Sequence, residues 1–301
     1  MFHFDLPEDA VLNSLNILLK LGRHLVFYWV IGLAVSFAPA QAKEAVTTLV
    51  FATYPSERPS EEQVKLEPIR QAIEDGLNDS GRKYSIIMRI FTTYDEAIEA
   101  MASGGADFAR LGPVSYIRAK RRNSGLSLLA KESQGESGFL KGFIFVHQDS
   151  PIRNLEDLRG HRVAFGEPGS TTGAYLPQAA LLQAGLRAKD LAAHQFLGRH
   201  DKVVFAVGAG AFDAGATNEV TFRKYGPGKN LREIHVLQSP AHAWVARKGL
   251  SSREVALLQS VLLNLKSEDL VRISRDRFLP AKDADYDDLR KAMKQTERFF
   301  E

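Results

Sequence analysis

Asp95–Ala109 and Asp201–Gly215 align without a gap at an offset of 106 residues, and this internal repeat constrains the fold more than any other feature of the chain. Asp95/Asp201, Ala100/Ala206, Gly104/Gly210 and Asp107/Asp213 are identical pairs. Each copy reads as a helix, a glycine-containing stop and a short strand entered through aspartate. Any two helix–glycine–strand units share part of this pattern. In a chain of 301 residues, long enough for two globular units, the repeat favours two lobes on one α/β plan with a ligand cleft between them.

The remaining periodicity agrees. Strands are expected at 47–53, 84–90, 107–111, 142–147, 162–165, 213–217, 234–237 and 243–246. A capping box at Ser60-Glu61-Glu62-Gln63 opens a helix that buries Ile69, Ile73 and Leu77, and Pro68 is expected to kink or delay it. Further helices are expected at 95–101, 114–120, 171–184, 203–207, 253–265 and 285–300, with a loop at 226–230. Strands separated by helices argue for mostly parallel sheets.

Composition removes several classes of function. With 45% hydrophobic and 25% charged residues the chain is neither disordered nor a multispan membrane protein. Lys and Arg exceed Asp and Glu by 39 to 36, too small an excess to predict a nucleic-acid binder. The one basic run, Arg118 to Arg122, reads as a solvated helix end. Cysteine is absent, which excludes disulfides, thiolate metal sites and cysteine nucleophiles. No hydrolase elbow, His-Glu-x-x-His or dinucleotide fingerprint occurs, and no histidines pair at i, i+4. Neither an enzyme nor a metal or cofactor is expected.

The N-terminus reads as an export leader. Leu25 to Ala38 carries no charge, Lys20 and Arg23 precede it, and Ala40-Gln41-Ala42 offers a small-x-small cleavage site. Its fourteen residues fall short of the roughly 20 that span a bilayer. The segment before it is long for a leader and carries Asp5, Glu8 and Asp9; the competing reading is an uncleaved membrane anchor. An exported chain without cysteine suits a bacterial periplasm.

One stretch has the chemistry of an anion site. Gly169-Ser170-Thr171-Thr172-Gly173 follows the expected strand at 162–165 and opens a helix. Backbone N–H groups, the helix dipole and three hydroxyls converge there. It is not a Walker loop, for no Gly-Lys-[Ser/Thr] follows. Ser and Thr are also common at helix starts for capping alone, so local chemistry leaves both readings open. His200 opens another helix, where a histidine is usually a cap or surface residue but can donate to an oxyanion when it faces a cleft.

Four ordered segments resemble the phosphate/phosphite/phosphonate-binding proteins of ABC importers: Phe51-Ala-Thr-Tyr54-Pro-Ser-Glu with Leu66-Glu-Pro68-Ile, Ala106-Asp-Phe-Ala-Arg-Leu-Gly112-Pro-Val-Ser-Tyr116, Val163 to Pro177, and Gly198-Arg-His200-Asp with Phe212-Asp213-Ala-Gly-Ala-Thr. The resemblance runs from about Leu49 to Leu265 and implies a two-lobed type II periplasmic-binding-protein fold. The implied lobes are 44–140 with 241–301, and 141–240, after a signal peptide over 1–42. The resemblance also implies that Ser170, Thr171 and Thr172 cradle a PO₃ group, that His200 donates to the same oxygens, and that Tyr54 and Tyr116 close over it. For each tyrosine the alternative is core packing with a locally satisfied hydroxyl. Asn218 or Glu219 stands near a position where aminophosphonate binders place a carboxylate. Around Ser239-Pro240-Ala241-His242, where another would stand, this chain has histidine. The implied function is capture of a small oxyanion (phosphonate, phosphite or phosphate) by a periplasmic monomer for an ABC permease in the inner membrane. The alternative is a sensing module that signals to a separate membrane partner. An output domain after Glu301 is not expected, and an export leader where a DNA-binding domain would stand argues against a transcription regulator.

Overall fold

In the computed structural model, which describes residues 45–134 and 139–301, the two copies of the repeat make the same hydrogen bonds in two different sheets. The expected leader lies outside the described residues, and no helix among the described residues is long and apolar enough to cross a membrane.

The first half runs β1 (Thr47–Thr53), α1 (Pro59–Asn78), β2 (Tyr84–Ile90), α2 (Tyr94–Ser103), β3 (Phe108–Leu111), α3 (Pro113–Arg122) and β4 (Ser127–Ser133). The chain continues through β5 (Phe139–His147), β6 (Arg162–Phe165), a widened turn at Thr171–Tyr175 leading into α4 (Leu176–Gln183), β7 (Ala193–Phe196), α5 (His200–Gly208), β8 (Ala214–Asn218), α6 (Glu219–Tyr225) and β9 (Leu231–Pro240). It ends with β10 (Ala243–Ala246), α7 (Ser252–Leu263), α8 (Ser267–Leu270), β11 (Arg277–Leu279) and α9 (Asp287–Thr296).

The first sheet has the order β11-β4-β10-β3-β1-β2 and the second β7-β6-β8-β5-β9. In the first, β1 lies parallel between β2 and β3, and β10 is antiparallel to both β3 and β4. In the second, β6 lies parallel between β7 and β8, and β5 is antiparallel to both β8 and β9. The two sheets therefore share one plan, and the chain passes between them after β4 and again after β9. Asp107 accepts from the Val50 N–H of β1 at 2.7 Å, and Asp213 from the Arg162 N–H of β6 at 2.8 Å. Each aspartate thus ties its own strand to the parallel neighbour. Gly104 and Gly210 before them take φ of 85° and 73°, a conformation that an L side chain resists.

Sheet faces are covered by four apolar clusters. Trp244, stacked on Phe51 at 5.0 Å, lies in the one under α1 and α7, and Phe145 and Phe222 lie in the one under α5 and α6. Val46–Glu301 packs as one compact unit. The end of the chain departs from the expected grouping of 241–301 with the first sheet. Leu289 and Met293 do pack under α2 and α3, but Phe299 is fully buried in the second sheet's core, edge-on to Phe165 at 5.9 Å.

Pro68 does not delay its helix, since α1 is continuous from Pro59 to Asn78. A proline leaves the carbonyl four residues earlier without its partner. Here that carbonyl, Val64 O, accepts from Arg272 Nη1 at 3.3 Å. The expected loop at 226–230 contains a 3₁₀ turn, Pro227–Lys229.

Candidate functional site

Tyr54 follows β1, Gly112 follows β3, Gly166 follows β6, and Asn218 ends β8. The carboxyl ends of the parallel strands of both sheets thus face one cavity, the position where open α/β sheets place ligands. Its volume is about 100 Å³, against the ~10–15 Å³ that admits one water.

The structure brings most of the expected residues to this cavity. Tyr54, Ser170, Thr171, Thr172, His200, Asn218 and Glu219 all line it. Ser170 is the helix cap: its Oγ accepts from Gly173 N at 3.0 Å and lies 3.4 Å from His200 Nε2. Thr171 does something else. Its Oγ1 accepts from Val114 N, at the start of α3, at 3.1 Å, so it joins the second sheet's turn to the first sheet's helix. A hydroxyl that accepts a backbone N–H keeps its own O–H to donate. Both side chains therefore offer neutral donors to an acceptor in the cavity. Thr172 packs against β5, where a Cβ on Gly142 would meet its Cβ at 2.7 Å. Gly173 allows the turn to close: a Cβ there would sit 3.0 Å from both His200 Cε1 and Ser170 Oγ.

His200 opens α5 and is buried, with Nδ1 lacking a partner among the described residues. Burial pushes its pKa down to about 4, so the imidazole is neutral at pH 7. Its backbone N–H donates to Ser56 O at 3.0 Å, a second bond between the two halves. A third joins Glu57, which accepts from Thr221 Oγ1 at 2.9 Å and from Lys65 and Lys224. Burial opposes the charge on Glu57, yet Glu61, Lys65 and Thr221 lower its pKa to about 2.

Tyr54 has its hydroxyl engaged within the first half. Oη accepts from Gly112 N at 2.6 Å and donates to Ser115 Oγ at 2.8 Å, and burial raises its pKa to about 12. It shapes the wall and fixes the start of α3. Tyr116 does not line the cavity. It sits in the core against Tyr286 at 4.7 Å and donates to Asp283 at 2.5 Å, because it lies four residues into α3 on the face turned to α9. The second tyrosine at the cavity is instead Tyr94, stacked on Tyr54 at 3.8 Å. Asn218 caps α6 by accepting from Thr221 N at 2.8 Å, and Glu219 is paired with Arg223 at 3.7 Å.

Sequence reasoning missed a buried ionic cluster at the first sheet's end of the cavity. Glu132 is fully buried and accepts from Arg110 Nε at 2.5 Å, Arg275 Nε at 3.0 Å and Trp244 Nε1 at 3.2 Å. Burial would raise its carboxyl, but Arg110 and Arg275 hold it well below the usual range. Arg110 also reaches Glu62 at 3.3 Å, and His242 stands beside the cluster. The one signal available was the charge of Arg110 inside the apolar run Phe108-Ala109-Arg110-Leu111.

Two α/β sheets of one plan, facing a polar cavity across a chain that passes twice between them, define a periplasmic-binding-protein fold. The same fold is found in PhnD1 from Prochlorococcus marinus in complex with methylphosphonate (TM-score 0.73, 22% identity, 84% of this chain and 98% of that one). It is found also in a binding protein component of an ABC phosphonate transporter from Pseudomonas aeruginosa (TM-score 0.74, 17% identity, 84% and 87%). Residues 51–286 match the family described as ABC transporter, phosphonate, periplasmic substrate-binding protein, and the chain belongs to that family. Among curated relatives, the phosphate-import protein PhnD of Mycolicibacterium smegmatis is 28% identical over 178 residues, 56% of this chain and only 54% of the relative's length. The probable ABC transporter phosphite binding protein PhnD1 of Prochlorococcus marinus is 26% identical over 216 residues, 64% of this chain and 72% of the relative.

Proposed function

We propose that this chain is an exported solute-binding protein that captures a small phosphorus oxyanion in the cavity and delivers it to an ABC permease. The observation that carries the reading is the convergence of Ser170, Thr171 and the neutral His200, whose Nδ1 has no partner among the described residues, on one small buried space. Neutral donors hold a desolvated anion well when each oxygen is satisfied, and they add no fixed charge of their own. Phosphonate, phosphite and phosphate all present such oxygens. Residues 44–140 with most of 241–301 form one lobe and 141–240 the other. Ligand contacts from both favour the closed state through a hinge in the two crossovers. The Val114–Thr171, His200–Ser56 and Glu57–Thr221 bonds are the closed-state latches. The leader over 1–42 places the monomer in the periplasm, and no nucleic acid takes part.

Calorimetry against phosphate, phosphite, methylphosphonate and 2-aminoethylphosphonate tests this. At least one binds with a one-to-one stoichiometry; if none does, the assignment of a phosphorus oxyanion is wrong.

A further inference from the structure

The hydroxyl turn lines the cavity from the second sheet. From the first sheet Arg110 on β3, Gln134 after β4, His242 before β10 and Arg275 before β11 line it. Arg275 is 9% exposed and donates through Nε to Glu132 and through Nη1 to Ser274 O at 2.6 Å. Glu132 cannot balance it alone, because the same carboxylate also receives both Nε and Nη2 of Arg110 and the Trp244 indole N–H. Burial depresses the Arg275 pKa despite Glu132, as expected of a guanidinium whose counter-charge is shared. Arg110 takes up Glu62 as well, and burial raises the pKa of that carboxyl, weakening it as a counter-charge.

His242 adds no negative charge. Its Nδ1 is buried without a partner among the described residues, 3.6 Å from Glu132 Oε2, beyond hydrogen-bond length. Around the cavity as a whole, five Lys or Arg face three Glu. Two of those three, Glu57 and Glu62, are already engaged by Lys65, Lys224 and Arg110. An ammonium entering here would meet the guanidiniums of Arg110 and Arg275, with Glu132 already shared between them and Glu219 as the remaining lining acid whose charge acts on Arg275. A carboxylate would instead meet guanidinium donors.

We propose that Arg275, with Arg110 and His242 beside it, forms a second anchoring point that selects phosphonates carrying a carboxylate at their other end over phosphonates carrying an ammonium. This rests on the phosphorus-oxyanion reading of the cavity and names the ligand class within it. Glu219, paired with Arg223 at 3.7 Å and near enough for its charge to act on Arg275, is the lining acid most open to an amine, so its variant serves as the control.

The experiment is calorimetry of the wild-type chain with methylphosphonate, phosphonoacetate and 2-aminoethylphosphonate. A guanidinium–carboxylate contact makes phosphonoacetate at least about tenfold tighter than methylphosphonate, and 2-aminoethylphosphonate the weakest of the three. In Arg275→Gln the ratio of phosphonoacetate to methylphosphonate affinity falls toward one, and Arg275→Lys, which keeps the charge, restores part of it. Thermal unfolding of each variant confirms that the comparison is made on folded protein. The inference is overturned if 2-aminoethylphosphonate binds as tightly as phosphonoacetate, more so if that binding vanishes in Glu219→Gln. It is equally overturned if the ratio survives both Arg275 variants. Methylphosphonate binding without the preference sinks this inference alone; if no phosphonate binds, both readings fall.

Discussion

Thr171→Ala and Ser170→Ala separate a helix cap from an anion cradle, because the structure gives the two adjacent hydroxyls different protein partners. Ser170 Oγ caps the turn through Gly173 N, so its removal leaves a buried N–H unpaired and costs about 1 kcal/mol of fold stability. Thr171 Oγ1 caps nothing in its own helix; it receives Val114 N from the other half of the molecule. Its loss removes a donor to a charged oxygen, worth about 1.5–3 kcal/mol, and a neutral latch bond worth about 0.5–1.5 kcal/mol. The sum, about 2–4.5 kcal/mol, corresponds to roughly 30- to 2,000-fold in affinity. The assay is thermal unfolding without ligand and calorimetry with whichever oxyanion binds. Thr171→Ala loses affinity with little change in melting temperature, whereas Ser170→Ala loses both. Unchanged affinity in Thr171→Ala, within about twofold, would refute the reasoning and leave a capped turn with no ligand.

Three further outcomes follow from the same structure. His200 has its pKa lowered from 6.5 to about 4, so the unfolded chain binds the proton more readily and stability falls as pH drops from about 6.5 toward 4. Denaturant titrations at pH 7 and pH 5 should lose about 2 kcal/mol through this group, and His200→Asn should reduce the loss by about that amount; an identical pH dependence in the variant would contradict it. Glu132→Gln strands Arg110 and Arg275 in the core and should cost about 3–5 kcal/mol in chemical denaturation, a loss under about 1 kcal/mol being incompatible with the buried cluster. Asp107→Ala and Asp213→Ala each orphan one backbone N–H of a parallel neighbour and should destabilise by about 1–3 kcal/mol, with the less exposed Asp107 the larger; a neutral result at both would deny that the repeat is structural.

Much of this architecture was legible because its signals are local. The apolar runs of β1, β2, β6 and β10 and the aspartate-entered strands of the repeat announce themselves within a few residues. Strands with weak patterns did not: Ser127–Ser133 mixes Lys131 and Glu132 into its run, and Ala193–Phe196 is a mostly exposed edge. The hydroxyl turn was legible as a motif, but its division of labour was not, since Thr171 is explained only by Val114, 57 residues away in sequence. Tyr116 and Tyr94 show the same limit. Both are buried near the start of a helix, and only the distant Asp283 and Tyr286, which take the Tyr116 ring and hydroxyl, separate its place from that of Tyr94 at the cavity. The ionic cluster was the least visible part. Arg110, Glu132, the His242–Trp244 pair and Arg275 lie on four separate segments that the order β11-β4-β10-β3 makes neighbours.

A crystal structure of the chain grown with methylphosphonate tests the central claim most directly. The account predicts one phosphonate in the cavity between the sheets, its oxygens within hydrogen-bond distance of Ser170 Oγ, Thr171 Oγ1 and a ring nitrogen of His200. A phosphonate bound elsewhere, or a cavity holding it with those three groups still bonded only to protein, would contradict it.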